Sequence, residues 1–155
     1  IRENITMGSL KLHSIAGIVN KKSEQAVVAD MVKRMNIKAR SVEQYVGTLS
    51  GGNQQKVVIG KALAANPKVI LFNEPTRGID VEAKQEIYRL IRSLVESGTA
   101  VILYSSDIME IIGLCDCVLT LYEGRVTAVL SENEITEEAI MYGATGNAGG
   151  EIDAE

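Results

Sequence analysis

Two apolar runs, VILF at residues 69–72 and AVILYS at 100–105, contain no alternation of polar and apolar residues. A strand with one face in water alternates, so an unbroken apolar run predicts a strand covered on both faces, as in a parallel sheet with helical crossovers. The segment between the runs supplies the crossover. Ile87, Leu90, Ile91, Leu94 and Val95 follow the i, i+3, i+4, i+7, i+8 stripe of an amphipathic helix over 81–97, and Gly98 stands where a left-handed C-terminal cap belongs. The chain therefore reads as α/β, with a mostly parallel sheet and flanking helices.

Around that unit the chain divides into three parts. Residues 1–48 read as a helical segment without a good strand: Val28, Met31, Val32 and Met35 recur at helical spacing, and Ser23 is placed to cap the start. An α/β core is expected over 49–142, with a helix after the glycines, a strand at 68–73 and the 81–97 helix. Beyond these come a strand at 100–105, a short helix at 107–113 and strands near 117–122 and 126–130, with YEGRV around Gly124 as a hairpin turn. After a short helix near 136–142 the final stretch, GATGNAGGEIDAE over 143–155, is glycine-rich and acidic and predicts a mobile tail. No internal repeat is visible.

Composition excludes several classes. With 155 residues, 46% of them hydrophobic, no Trp and one Phe, the chain can build one domain with an aliphatic core. The net charge of −4 and the scatter of its Lys and Arg residues argue against a nucleic-acid partner. No apolar run approaches the roughly 20 residues that span a bilayer, and IRENITMG lacks signal-peptide architecture, so a membrane is expected to be reached only through a partner. Cys115 and Cys117 lie one residue apart and far in sequence from the single histidine, His13, which favours two reduced cysteines over a zinc site.

Three places carry chemistry. In TLSGGNQQKVVIGKALAANP, residues 48–67, Ser50, Gly51 and Gly52 precede a helix whose free N–H groups and dipole suit an anion such as phosphate; an ordinary N-cap and turn is the alternative. In LFNEPTRGID, residues 71–80, a strand ends at Asn73-Glu74-Pro75 and puts Glu74 at the carboxyl edge of the sheet, where ligands bind in open α/β folds. A carboxylate there can orient or deprotonate a water attacking a phosphate, or simply be solvated. In LYSSDIME, residues 103–110, Ser106 and Asp107 can touch a ligand at the same edge or cap the helix that follows.

Taken together, LSGGNQQK, VILFNEPTRGID and ILYSSD resemble the signature motif, the Walker B motif with its D-loop, and the switch region of ATP-binding cassette (ABC) ATPases, in that family's order and at about its spacing. With RENITMGSL upstream, the wording is similar to the second cassette of the duplicated ATPases of bacterial ribose, galactose and xylose importers. The resemblance implies an ATPase acting with ATP and Mg²⁺ at the cytoplasmic face of the membrane. It further implies three kinds of partner: an opposing cassette, membrane permease subunits and, indirectly, a periplasmic or extracellular sugar-binding protein. Ser50, Gly51 and Gly52, with Asn53 and Gln54 completing the motif, would contact the γ-phosphate of an ATP held mainly by the opposing cassette. Glu74 matches the catalytic glutamate, Asp80 the D-loop aspartate, and residues 1–48 the helical subdomain that meets the membrane subunits.

Two positions depart from the family pattern. Asn73 stands for the Walker B aspartate and offers a neutral oxygen where Mg²⁺ favours a carboxylate. Ser106 stands for the switch histidine and has no imidazole to meet the γ-phosphate. The sequence also contains no G-x-x-x-x-G-K-S/T loop, so it reads as a partial cassette beginning beyond the Q-loop, inactive and weak in nucleotide affinity by itself. A non-transport ABC ATPase and a non-catalytic interaction module are the competing readings.

Overall fold

The computed structural model describes residues 1–15 and 17–147, which fall into two compact units, Ile1–Ile102 and the residues from Leu103 onward. The predicted tail lies outside the described residues from 148 on.

The first unit opens with α1 (Arg2–Thr6), a 3₁₀ turn over Leu10–His13 and a small antiparallel hairpin, β1 (Ser14–Ile15) with β2 (Ile18–Val19). That hairpin corrects the expectation of a strand-free segment; two residues per strand leave no alternation to read. Helix α2 (Lys21–Arg34) follows, and its cap also differs from expectation. Asn20, not Ser23, accepts from the Lys22 and Ser23 N–H groups, while Ser23 lies one turn further in with its hydroxyl 2.8 Å from His13 Nδ1. The helix ends at Asn36, whose positive φ of 47° lets the Ile37 N–H return to the Val32 carbonyl.

Helix α3 (Gly51–Leu63) is the centre of this unit and packs against both α1 and α2. Gly60 lets the three meet: Ile5, Met31 and Met35 atoms lie 3.7–3.9 Å from where its Cβ would be. Arg2 adds a polar tie, donating to buried Glu24 at 3.1 Å and to Glu43 at 2.7 Å. The hydrogen bond from Arg2 holds the Glu43 carboxyl below its ordinary value.

Strand β3 (Val69–Asn73), helix α4 (Val81–Glu96) and strand β4 (Ala100–Tyr104) form the expected strand–helix–strand unit, with β3 and β4 hydrogen-bonded neighbours. A helical crossover is the connection a parallel pair requires. Ile87, Ile91 and Leu94 are buried as the stripe predicts, whereas Val95 sits at its margin, 42% exposed. Gly98, at φ +89°, closes the helix in the expected place.

The expectation that both faces of these strands are covered does not hold: in β4, Ile102 and Tyr104 are 57% and 61% exposed, and β3 likewise has an open face. Ile70 and Phe72 are buried, but Val69 and Leu71 are 56% and 67% exposed. Side chains alternate across a strand, and among the described residues only the even-numbered face of β3 finds a cover.

In the second unit, α5 (Ile108–Leu114) precedes a hairpin of β5 (Cys117–Tyr122) and β6 (Arg125–Ser131), and α6 (Glu137–Ala144) packs on both strands. Glu123 and Gly124 both have positive φ, 47° and 80°, which is the two-residue type I′ turn that suits strand twist. The Thr127 hydroxyl donates to the Gly143 carbonyl at 2.8 Å and fixes α6 to the hairpin.

Replacing Asn20 by alanine removes the side-chain cap of α2 and is expected to lower stability by about 1 kcal/mol. A urea titration checks this; an unchanged midpoint would show that Asn20 is not the effective cap.

Candidate functional site

Helix α3 begins in an open manner. Ser50 is its N-cap, with φ −60° and ψ 155°, yet its side chain makes no capping bond to the helix. Instead its oxygen accepts from Asn53 Nδ2 at 2.9 Å. The first N–H bonded within the helix is that of Gln54, to the Ser50 carbonyl at 2.9 Å. Gly51, Gly52 and Asn53 therefore occupy the positions whose N–H groups a helix leaves for capping side chains, water or a ligand. The Ser50 hydroxyl, accepting from Asn53, keeps its own hydrogen to donate outward.

Two further bonds hold this turn in shape. Asn53 Oδ1 accepts from the Lys38 N–H at 2.8 Å, so the asparagine links the segment after α2 to the start of α3. Gln54 Nε2 donates to the Leu49 carbonyl at 2.8 Å. The preceding 3₁₀ turn over Val46–Thr48 brings the chain to the helix in an extended conformation at Leu49. A shallow cavity lined by residues including Lys38, Arg40, Ser50 and Asn53 opens beside the turn, so two basic side chains border it.

Gly52 is buried against α4. A Cβ at this position would lie 2.7 Å from Ala83 Cβ and 3.8 Å from Asp80 Oδ2, so α3 and α4 approach too closely for any side chain there. Asp80 caps α4, its Oδ1 accepting from the Ala83 N–H at 2.9 Å. The structure thus brings the predicted Ser50–Gln54 group and Asp80 together on the α3–α4 contact.

Asn73 ends β3 and is exposed; Glu74 follows, half-buried, in a left-handed backbone conformation with φ 48°. Its carbonyl accepts from the Arg77 N–H at 3.2 Å, and Pro75 and Thr76 are buried beneath the turn. A non-glycine residue at positive φ is uncommon and carries a strain of order 1–3 kcal/mol. Ser106 belongs to the second unit, exposed between buried Ser105 and Asp107. Capping there falls to Asp107, which accepts from the Met109 and Glu110 N–H groups, while Ser105 donates to the buried Glu110 carboxylate.

One further group at this contact has little signature in the sequence. Lys56 is buried, paired with Glu86 of α4, and donates to the Asn36 carbonyl at 3.2 Å; Asn36 Nδ2 in turn donates to Glu86 at 3.1 Å. The only hint in sequence was a lysine four residues after Gly52, on the same helical face. The Lys56 hydrogen bond holds the Glu86 carboxyl below its ordinary value, against an opposing effect of burial and with smaller help from Asn36 and Lys38.

Comparison with known proteins decides the family. The ABC transporter family profile matches residues 1–77. The chain is 53% identical over 146 residues to the xylose import ATP-binding protein XylG of Moorella thermoacetica, and 49% identical over 146 residues to the ribose import ATP-binding protein RbsA 2 of Rhizobium meliloti. The chain belongs to the ABC transporter ATP-binding family. Those matches cover 94% of this chain and 29% and 28% of the two relatives, so the chain spans less than a third of the length of these curated ABC proteins. The dimeric bacterial ABC transporter cassette MJ0796 is similar in structure, with a TM-score of 0.71 and 27% identity, covering 84% of this chain and 55% of that one. The fold is that of part of an ABC ATPase cassette.

Because the folded carboxyl of Glu86 titrates below the ordinary 4.5, its contribution to stability is complete above that value and disappears as pH falls through the lower folded one. The wild type is therefore expected to exceed Glu86→Gln in stability at roughly pH 6, with the gap closing by about pH 3. Denaturant midpoints across that range check it, and a gap independent of pH would contradict it.

Proposed function

We propose that this chain serves as the signature-bearing part of the second cassette in the ATPase subunit of a bacterial importer of simple sugars. The observation that carries the reading is the open start of α3, where Gly52 presses against Ala83 and the Ser50 side chain leaves the first N–H groups of the helix uncapped. An array of backbone donors at a helix N-terminus is suited to phosphate. The names of the relatives, import proteins for ribose and xylose, favour sugar transport over other uses of the cassette.

In this reading the ATP is bound mainly by an opposing cassette, and this chain closes over its terminal phosphate. Gly51 and Gly52 offer N–H groups, Ser50 offers its hydroxyl, and Asn53 and Gln54 hold the turn that presents them. Asp80, fixed as the α4 cap, carries the closure to the neighbouring cassette. Glu74, at the end of β3, would orient the attacking water at this cassette's own site, and Asn73 and Ser106 make that site the weaker of the two.

The donor set fits the nucleotide's phosphates. Mg²⁺ fits less well: Asn73 presents an amide, and among the described residues no cluster of three or more His, Cys, Asp or Glu side chains could hold a metal. The cation is therefore assigned to the nucleotide and the opposing cassette. Among the described residues no helix is long and apolar enough to cross a membrane. Residues 1–48 would meet the permease at the cytoplasmic face, and the permease would receive sugar from a periplasmic or extracellular binding protein.

Two substitutions in the complete transporter separate the roles. Gly52→Val, which forces α3 from α4, is expected to reduce ATP-driven sugar uptake by about a hundredfold, the scale of losing preorganised donors. Glu74→Gln should cost far less. Equal loss from both in an uptake assay would refute the unequal division of labour.

A further inference from the structure

The α3–α4 contact has two rungs. Gly52 and Lys56 are one helical turn apart on α3, and Ala83 and Glu86 are one turn apart on α4, so each pair shares a face. The first rung is steric, glycine against alanine. By itself it fixes the closest approach of the helices but not their rotation about that point. The second rung, about 6 Å along the helix, is ionic.

We propose that Lys56 is a positioning residue for the signature turn, setting the rotation and register of α3 through Glu86 and the Asn36 carbonyl and thereby the direction of the Gly51 and Gly52 N–H groups. This rests on the functional reading of Ser50–Gly52 given above. Lys56 is only 4% exposed, and a buried ammonium must be paired and hydrogen-bonded, so its partners are obligatory and directional. They come from two elements. Glu86 belongs to α4, and the Asn36 carbonyl is aimed by the left-handed residue that closes α2. The bond from Asn36 Nδ2 to Glu86 closes a triangle of α2, α3 and α4. Two residues further on, the Lys38 N–H reaches Asn53, so the segment that Lys56 grips also touches the turn.

The test uses the complete transporter ATPase and two variants. Lys56→Met keeps the length and apolar stem of the side chain but loses the directional bonds. Lys56→Arg keeps charge and donors, and a cavity of about 290 Å³ bordered by Lys56, Glu86, Arg89 and Ser93 leaves room for the larger head. Lys56→Met is expected to lower kcat for ATP about tenfold with KM within about twofold, because only the closed state is misaligned. Lys56→Arg should stay within about threefold of wild type. Amide hydrogen exchange at Lys38 and Gln54, whose N–H groups bond into the turn, should quicken several-fold in Lys56→Met alone.

A wild-type kcat per folded molecule in Lys56→Met, or an equal loss in Lys56→Arg, would overturn the proposal. Should Lys56→Met fail to fold, Glu86→Gln gives the same comparison at the same two amides, with unchanged exchange counting against it. If exchange responds as expected while the wild-type protein hydrolyses no ATP, the positioning role stands and the transport reading falls. If hydrolysis depends on Gly52 and not on Lys56, the reverse holds.

Discussion

Gly52 lets α3 approach α4 more closely than any side chain permits, with an imagined Cβ only 2.7 Å from that of Ala83. Packed interiors tolerate little change in volume, so this contact fixes where the start of α3 can lie. The rest of the site follows from that placement. Ser50 gives its oxygen to Asn53 instead of the helix, the first N–H groups stay open, and Asp80 caps α4 beside them. In the proposed role, an anion site assembled from backbone would have little reorganisation left to do when a ligand arrives.

The helical part of the first unit secures the other flank of α3. Gly60 sits two turns beyond Gly52 and lets α1 and α2 close on the helix, with Ile5, Met31 and Met35 around it. Steric contacts from both sides set distances. Polar links set direction: Lys56 joins α3 to Glu86 and Asn36, and Asn53 joins it to Lys38. A helix held in this way can transmit a movement of residues 1–48 to the turn at its start as a rigid lever, because neither end is free to roll.

Much of this was legible in the sequence. The stripe of α4, its closing Gly98, the α3 start and the Glu123–Gly124 hairpin all arise from local spacing, and local spacing survives folding. What escaped notice is tertiary. Lys56 and Glu86 belong to different helices, and nothing in either neighbourhood predicts that they meet. The open face of β3 was hidden for another reason: Val69 and Leu71 look the same in sequence whether covered or exposed. At Ser23, a serine near a helix start suggested the cap, but Asn20 entered the helix three residues earlier and took that role. The family resemblance came from the order of three motifs, since each alone had an ordinary structural meaning.

The central claim is that Ser50 meets a nucleotide held by another cassette. An ATP analogue carrying a thiol-reactive group on its γ-phosphate, offered to a transporter in which Ser50→Cys provides the target thiol, tests this directly. Labelling of that cysteine is expected only when the opposing cassette is present and can bind ATP. Equal labelling after the opposing cassette's nucleotide site has been disabled would show that this chain binds the nucleotide by itself, contradicting the account.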